Sequence, residues 1–173
     1  NNGARVVNAS WGGSGCSTLL RDEILNVTQA GIVFVTAAGN EGQDLVSLPE
    51  WPAIFQMPGK ITIRASNVQQ MLAKFSNYGM YVDVAAPGDT IVSTVPPDMG
   101  SPEQGALGLK SGTSMATPFV AGLSALLISK KPGLTGPAIV NVINSSIIQG
   151  SYGIRTRGKV DALQAAQLLM LQP

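Results

Sequence analysis

The run Ile32-Val33-Phe34-Val35-Thr36-Ala37-Ala38 constrains this chain more than any other segment. It is apolar without alternation and rich in β-branched residues. A strand of that composition is buried on both faces, as happens when helices cover both sides of a parallel sheet. It ends in the turn Gly39-Asn40-Glu41-Gly42. Ahead of it, residues 5–10 read as a shorter strand running into Trp11 and the glycine-rich Gly12-Gly13-Ser14-Gly15. Residues 19–30 place Leu20, Ile24 and Val27 at helical spacing, with Ser17 or Thr18 as cap and Gly31 as stop. Strand, helix, strand within so short a stretch is a βαβ unit, so an α/β layer structure is expected.

Further strands are expected over 60–65 and 81–86, then a hairpin with arms at 90–95 and 109–111. Residues 113–128 are apolar nearly all round, which predicts a helix sunk in the core. Gly112, Ala116, Ala121, Gly122 and Ala125 would let neighbouring backbones approach it. Thr135 caps a helix with Pro137 in its first turn, reaching about residue 145. A last amphipathic helix covers 161–171. No repeat or linker divides the chain, so 1–173 is read as one unit.

The composition narrows the class of function. With 173 residues, 45% of them apolar and 12% charged, the chain can bury a core of its own. Its net charge is +1 and its longest basic run is Lys130-Lys131, which gives no footprint for nucleic acid or an anionic membrane. No apolar stretch is long enough to span a bilayer. The single cysteine, Cys16, excludes an internal disulfide framework and a cysteine-built zinc site. It is either a free thiol in a loop or bonded to a residue outside this chain. The opening Asn1-Asn2-Gly3, without initiator methionine or leader, is what an excised or processed piece would show.

Three places could carry chemistry. Ser114 lies in Gly112-Thr113-Ser114-Met115-Ala116-Thr117-Pro118, where the core helix should start. Unpaired amides and the helix dipole favour negative charge there, which suits acyl transfer, although a plain helix-capping serine would look the same. A serine nucleophile needs a base, usually an imidazole, and the chain has no histidine. The nucleophile elbow of α/β-hydrolases is therefore excluded, since its histidine follows the serine. A Ser-x-x-Lys system is absent too, and Lys110 is only a remote candidate. Asn40 closes the buried strand, at the end where parallel sheets place their sites, and its amide could donate to an oxyanion or merely form a turn. Ser10-Trp11-Gly12-Gly13 could pair with an extended peptide, or be an ordinary turn with Trp11 packed on the core.

Together these segments resemble the second half of the subtilisin-like serine proteases, the subtilases. The run Gly112 to Pro118 matches the family's nucleophile motif at every position. Ala37-Ala38-Gly39-Asn40-Glu41-Gly42 resembles its oxyanion turn, and Val7-Asn8-Ala9-Ser10-Trp11-Gly12 its substrate-binding strand. Phe75-Ser76-Asn77-Tyr78-Gly79, Val84-Ala85-Ala86-Pro87-Gly88 and Gly158-Lys159-Val160-Asp161-Ala162 resemble further blocks in the same order.

The resemblance implies a partial three-layer, parallel-sheet subtilisin-like fold. Ser114 would be the acylating nucleophile, its own N–H and the Asn40 side chain forming the oxyanion hole, with Gly112 and Thr113 beside them. Ser10, Trp11, Gly12 and Gly13 would hold the substrate backbone. With Ala37, Ala38 and Gly39 they would wall the pocket for the residue before the scissile bond, and Glu41 would lie near its floor. No cluster of acids follows Gly12, so a broad or apolar preference is expected. The family orders its triad Asp, His, Ser, so the first two are expected on a preceding half of the domain. The strand at 5–10 would then be an artificial edge, and this chain alone inactive. The resemblance also implies an extended polypeptide substrate, an inhibitory propeptide, an extracytoplasmic location and no cofactor for the chemistry. It allows a structural calcium, for which no closely spaced acids supply a site here. Two alternatives remain at this level: a peptide-binding module without catalysis, and a hydrolase whose base comes from another subunit.

Overall fold

A computed structural model describes residues 2–96, 106–148 and 158–171. In chain order the elements are β1 (Val6–Ala9), α1 (Thr18–Gln29), β2 (Val33–Ala37), β3 (Lys60–Ser66), β4 (Val84–Pro87), β5 (Ile91–Thr94), β6 (Leu107–Lys110), α2 (Thr113–Lys130), α3 (Gly136–Ser145), β7 (Ile147–Ile148), β8 (Lys159–Val160) and α4 (Ala162–Met170). One six-stranded sheet has the order β1-β2-β3-β4-β8-β7, and β5 and β6 form a separate antiparallel hairpin. All pairings from β1 to β8 are parallel, and β7 alone runs antiparallel at the far edge.

β2 is buried at every position, as its uninterrupted apolar run requires. Its odd residues, Val33 and Val35, join Ile61 and Ile63 of β3 and Val120, Leu123 and Leu127 of α2 in the main core. Its even residue Phe34 packs with Ile24 of α1 on the opposite face. The sheet is thus the middle of three layers. Ser17 caps α1 by accepting from the Leu20 N–H at 3.2 Å, which settles the choice between Ser17 and Thr18.

Two expectations change, and a third falls largely outside the described residues. The strand anticipated over 81–86 begins only at Val84, because Val82 N–H bonds to Gly79 O in a turn. The tip of the hairpin lies mostly outside the described residues. Helix α2 is not buried all round. Thr113, Ala116, Thr117, Val120, Leu123, Ser124, Leu127 and Ile128 face inward, but Phe119 and Leu126 are about half exposed, at 49% and 51%. The sheet and α3 and α4 cover one side of the helix, whereas its composition suits cover on both.

β3 alternates polar and apolar residues, the pattern of a strand with one wet face. Here both faces are dry. Lys60, Thr62, Arg64 and Ser66 are all buried, the first two against Ala53 of the loop that precedes the strand. The Lys60 ammonium donates to Ala53 O at 2.8 Å and to Thr62 Oγ1 at 2.6 Å, while Thr62 Oγ1 itself donates to Ala53 O at 2.9 Å. Burial lowers the Lys60 pKa from 10.5 to about 8, and the nearby Asp83 offsets only part of that. The native state therefore sheds this proton first, and across the window from about 8 to 10.5 the unfolded chain binds more protons. Stability contributed by this site rises with pH through that window. Lys60→Met in the full-length protein should raise the thermal midpoint at pH 7, by the equivalent of up to about 3 kcal/mol. It should also flatten the rise toward pH 10, and melting curves of both proteins between pH 7 and 10 check this.

Candidate active site

Ser114 occupies the second position of α2, behind Gly112 at the cap. Its hydroxyl donates to Ser10 O at 2.9 Å, and the Ser10 hydroxyl donates back to Ser114 O at 3.0 Å. The second bond has a cause four residues further on. Pro118 lies inside the helix and has no N–H to give the Ser114 carbonyl, the acceptor it would otherwise serve. Ser10, at the end of β1, supplies the missing donor. Strand end and Ser114 are thereby tied across 104 positions of sequence.

Asn40 reaches the same helix start from the end of β2. Its Oδ1 accepts from the Thr113 N–H at 2.8 Å and from the Thr113 hydroxyl at 3.1 Å. Thr113 Oγ1 in turn accepts from the Gly39 N–H at 3.2 Å. A backbone N–H can only donate, so the oxygen of the Asn40 amide must face Thr113. The orientation of the amide is thus fixed, and its Nδ2 is the end left for an incoming group. Asn40 also does the capping that Gly112, without a side chain, cannot do.

The glycine turn holding Asn40 is tied down by Asn77, which is fully buried. Asn77 Oδ1 accepts from the N–H groups of Glu41 and Gln43 at 3.0 and 3.1 Å. Its Nδ2 donates to Ala38 O at 3.0 Å and to Glu41 Oε2 at 2.8 Å, and its own N–H bonds to Gly39 O at 3.0 Å. Glu41 Oε2 also accepts from the Asn40 N–H at 2.8 Å. The sequence motif around Asn77 hinted that the segment matters but did not show this role. Behind Gly112, Gly88 must lack a side chain, because a Cβ there would lie 2.7 Å from Ala65 Cβ and 2.8 Å from Gly112 O.

The other anticipated residues fall around this centre. Gly12 and Gly13 continue from β1, and Gly13 pairs with Trp51 through two backbone bonds of 3.0 and 2.9 Å. Trp11 is 51% exposed, so it does not pack on the core. Ala37 and Ala38 are buried, Ala38 within a small cluster with Leu45, Ala53 and Val82. Beside Ser114 opens an apolar cavity of about 330 Å³ between β5 (Ile91, Val92, Ser93) and α2 (Met115, Pro118, Phe119). The arrangement offers a serine hydroxyl at a helix start with the Asn40 amide bonded to the residue before it, and an amide N–H and a helix-start N–H are groups that can stabilise an oxyanion. A base is the missing part, since the chain has no histidine.

The family model described as the Subtilase family matches residues 1–167. The chain belongs to the subtilase family. Among curated subtilases and related proteases it is 38% identical to a subtilisin of Bacillus pumilus over 168 residues, which is 96% of this chain and 58% of that protein. It is 42% identical to an extracellular basic protease of Dichelobacter nodosus over 129 residues, 74% of this chain and 21% of that one. Among solved structures, a protease from Pseudoalteromonas arctica superposes with a TM-score of 0.84 at 32% identity, covering 97% of this chain and 52% of its own. A cold-adapted subtilisin-like serine proteinase gives 0.71 at 33% identity, covering 90% and 52%. The chain thus spans about three fifths or less of these relatives. The fold is the subtilisin-like one, with a mostly parallel sheet between helical layers. Among the described residues no helix is long and apolar enough to cross a membrane. Nor, among the described residues, do three or more acidic, cysteine or histidine side chains gather in one place.

Proposed function

We propose that this chain is the nucleophile-bearing half of a subtilisin-like serine endopeptidase catalytic domain, completed by a preceding half that supplies the Asp and His. The observation that carries this reading is the Asn40 amide, whose oxygen is committed to Thr113, the residue before Ser114, and whose nitrogen is therefore the end left to donate. A helix cap alone would not need an amide, since a carboxylate or hydroxyl caps as well.

In the proposed reaction an extended polypeptide lies along the end of β1, its backbone pairing with residues Ser10 to Gly12. The histidine of the preceding half takes the Ser114 proton, which leaves its bond to Ser10 O, and Oγ adds to the scissile carbonyl. The negative charge formed on the carbonyl oxygen is met by the Ser114 N–H and Asn40 Nδ2. The intermediate expels the amine, which receives the proton from the histidine, and leaves an acyl-enzyme. Water activated by the same base then releases the acid. No metal or cofactor has a part in these steps. The preceding half would also cover the open side of α2 and the edge of β1. Extracellular relatives support a secreted protein, and a propeptide that blocks the cleft before maturation is part of the same reading.

One observation favours a second reading, a peptide-binding module without turnover: the Ser114 proton goes to a backbone carbonyl here rather than to a base. Labelling by a fluorophosphonate probe with peptide mapping separates the two. Modification of Ser114 in the full-length protein, and none in this chain alone, is the expected result. A folded full-length protein that stays unlabelled would reject the protease reading and leave the binding module.

A further inference from the structure

Residues 73–79 belong to none of the helices or strands named above, yet they are clamped on two sides. Toward the sheet, the Ala73 N–H donates to Ala65 O at 3.0 Å, and Ser76 Oγ accepts from the Ala65 N–H at 2.9 Å. Ala65 is a fully buried residue of β3, so the segment takes its position from the core. Toward the turn, the Gly42 N–H donates to Phe75 O at 2.7 Å and the Tyr78 N–H to Gln43 O at 3.0 Å. The Leu45 N–H donates back to Tyr78 O at 3.0 Å. The turn that carries Asn40 is thus cast against this segment.

Asn77 stands at its centre and reaches both sides of Asn40. It bonds Ala38 O and Gly39 O ahead of that residue, and the Glu41 and Gln43 N–H groups behind it. The Asn40 N–H goes to Glu41 Oε2, which Asn77 Nδ2 holds in turn. Both acceptor sites and both donors of the Asn77 amide are therefore in use, which leaves it one orientation. Gly39 has φ of 100°, and a Cβ there would fall on Asn77 Nδ2, so the amide fills the space a side chain at 39 would take.

Asn40 and Glu41 are exposed, and water could satisfy the polar groups of an exposed turn. A fully buried amide spent on this turn adds rigidity instead. Rigidity matters for a donor whose worth depends on being placed before charge develops, since a shift of about 1 Å can cost about 10² in rate. The Asn40 side chain is held at its tip by Thr113, and its backbone is held by Asn77.

We propose that Asn77 is the positioning residue of the oxyanion site: it fixes the Asn40 backbone so that Nδ2 needs no rearrangement when substrate arrives. The proposal rests on reading Asn40 as the oxyanion donor of a subtilase. Every contact it invokes lies within this chain, so the placement does not wait for the preceding half.

The test is a double-mutant cycle in the full-length protein, read as kcat and KM on one peptide substrate. Asn77→Ala should lower kcat by about ten- to a hundredfold, with KM changed less than about twofold. In an Asn40→Ala background the same substitution should cost less than about twofold, because the donor it places is already gone. A merely structural Asn77 would lower kcat by the same factor in both backgrounds. That outcome overturns the proposal, and so does a rise in KM with kcat unchanged, or no loss at all. If Asn77→Ala does not fold, Glu41→Ala at its exposed position cuts the link between Asn77 and the Asn40 N–H. Its loss of kcat must likewise vanish in the Asn40→Ala background, and an undiminished loss there overturns the proposal. An unaltered protein that cleaves nothing, with Ser114 unlabelled by fluorophosphonate, would instead remove the protease reading, and this role with it.

Discussion

Ser114→Ala in the full-length protein is expected to lower kcat for peptide hydrolysis by about a millionfold. That magnitude was measured in subtilisin, a relative of this chain, where loss of the serine or the histidine leaves only about 10³–10⁴ over the uncatalysed reaction. The residue is nearly all or nothing because the covalent route disappears with its oxygen, while Asn40 and the backbone N–H stay in place. The fold should feel the change little. Ser114 gives up one hydrogen bond, to Ser10 O, at a cost of about 1 kcal/mol. The Ser10 hydroxyl keeps its own bond to the carbonyl at position 114. Initial rates on a peptide substrate, with a melting curve for each protein, check both halves of the statement. Retained turnover in a folded Ser114→Ala protein would place the chemistry elsewhere.

Asn40→Asp is the second large effect, and the more informative about geometry. Asp keeps an oxygen where Oδ1 accepts from Thr113, so the start of α2 stays capped. It replaces the two N–H donors of Nδ2 by a carboxylate oxygen that repels a developing oxyanion. Removing one such donor in subtilisin costs about 10²–10³ in kcat. At least that loss is expected here, with KM little changed, since the donor acts mainly on the transition state. Asn40→Ala should show a similar kinetic loss and in addition about 1 kcal/mol of lost stability, because the cap goes as well. Steady-state kinetics and thermal melts on both variants separate the two jobs of one amide. If Asn40→Asp worked as well as the unaltered protein, Nδ2 would not be the donor.

How much of this could be read from the chain depended on the range of the interaction. β2 and α1 were legible because their signals are local: an unbroken apolar run, and helical spacing behind a serine cap. Ser114 and Asn40 were legible as candidates, and the family motifs gave them roles. The polar face of β3 was not, because burial of Lys60 and Thr62 depends on a loop folding back onto the strand. The open flank of α2 was missed for the converse reason, since a composition that suits cover does not say whether cover is present. β7 and β8, two residues each, have no periodicity to detect. Asn77 acts through partners far along the chain, and only the turn motif around it gave any hint.

The reciprocal bonds between Ser10 and Ser114 also bear on how such a chain becomes active. Contacts between positions this far apart in sequence carry a high loop-closure cost and tend to form after local structure. In the proposed protease, Ser114 would be set in its working position only once the first strand and the central helix have found each other, and a partly folded copy would hold a serine without its clasp. For a protein that would cut extended polypeptides, the commonest such substrate during synthesis is its own unfolded chain. On that reading, building the site from distant parts of the sequence would leave it unassembled while the chain is still unfolded.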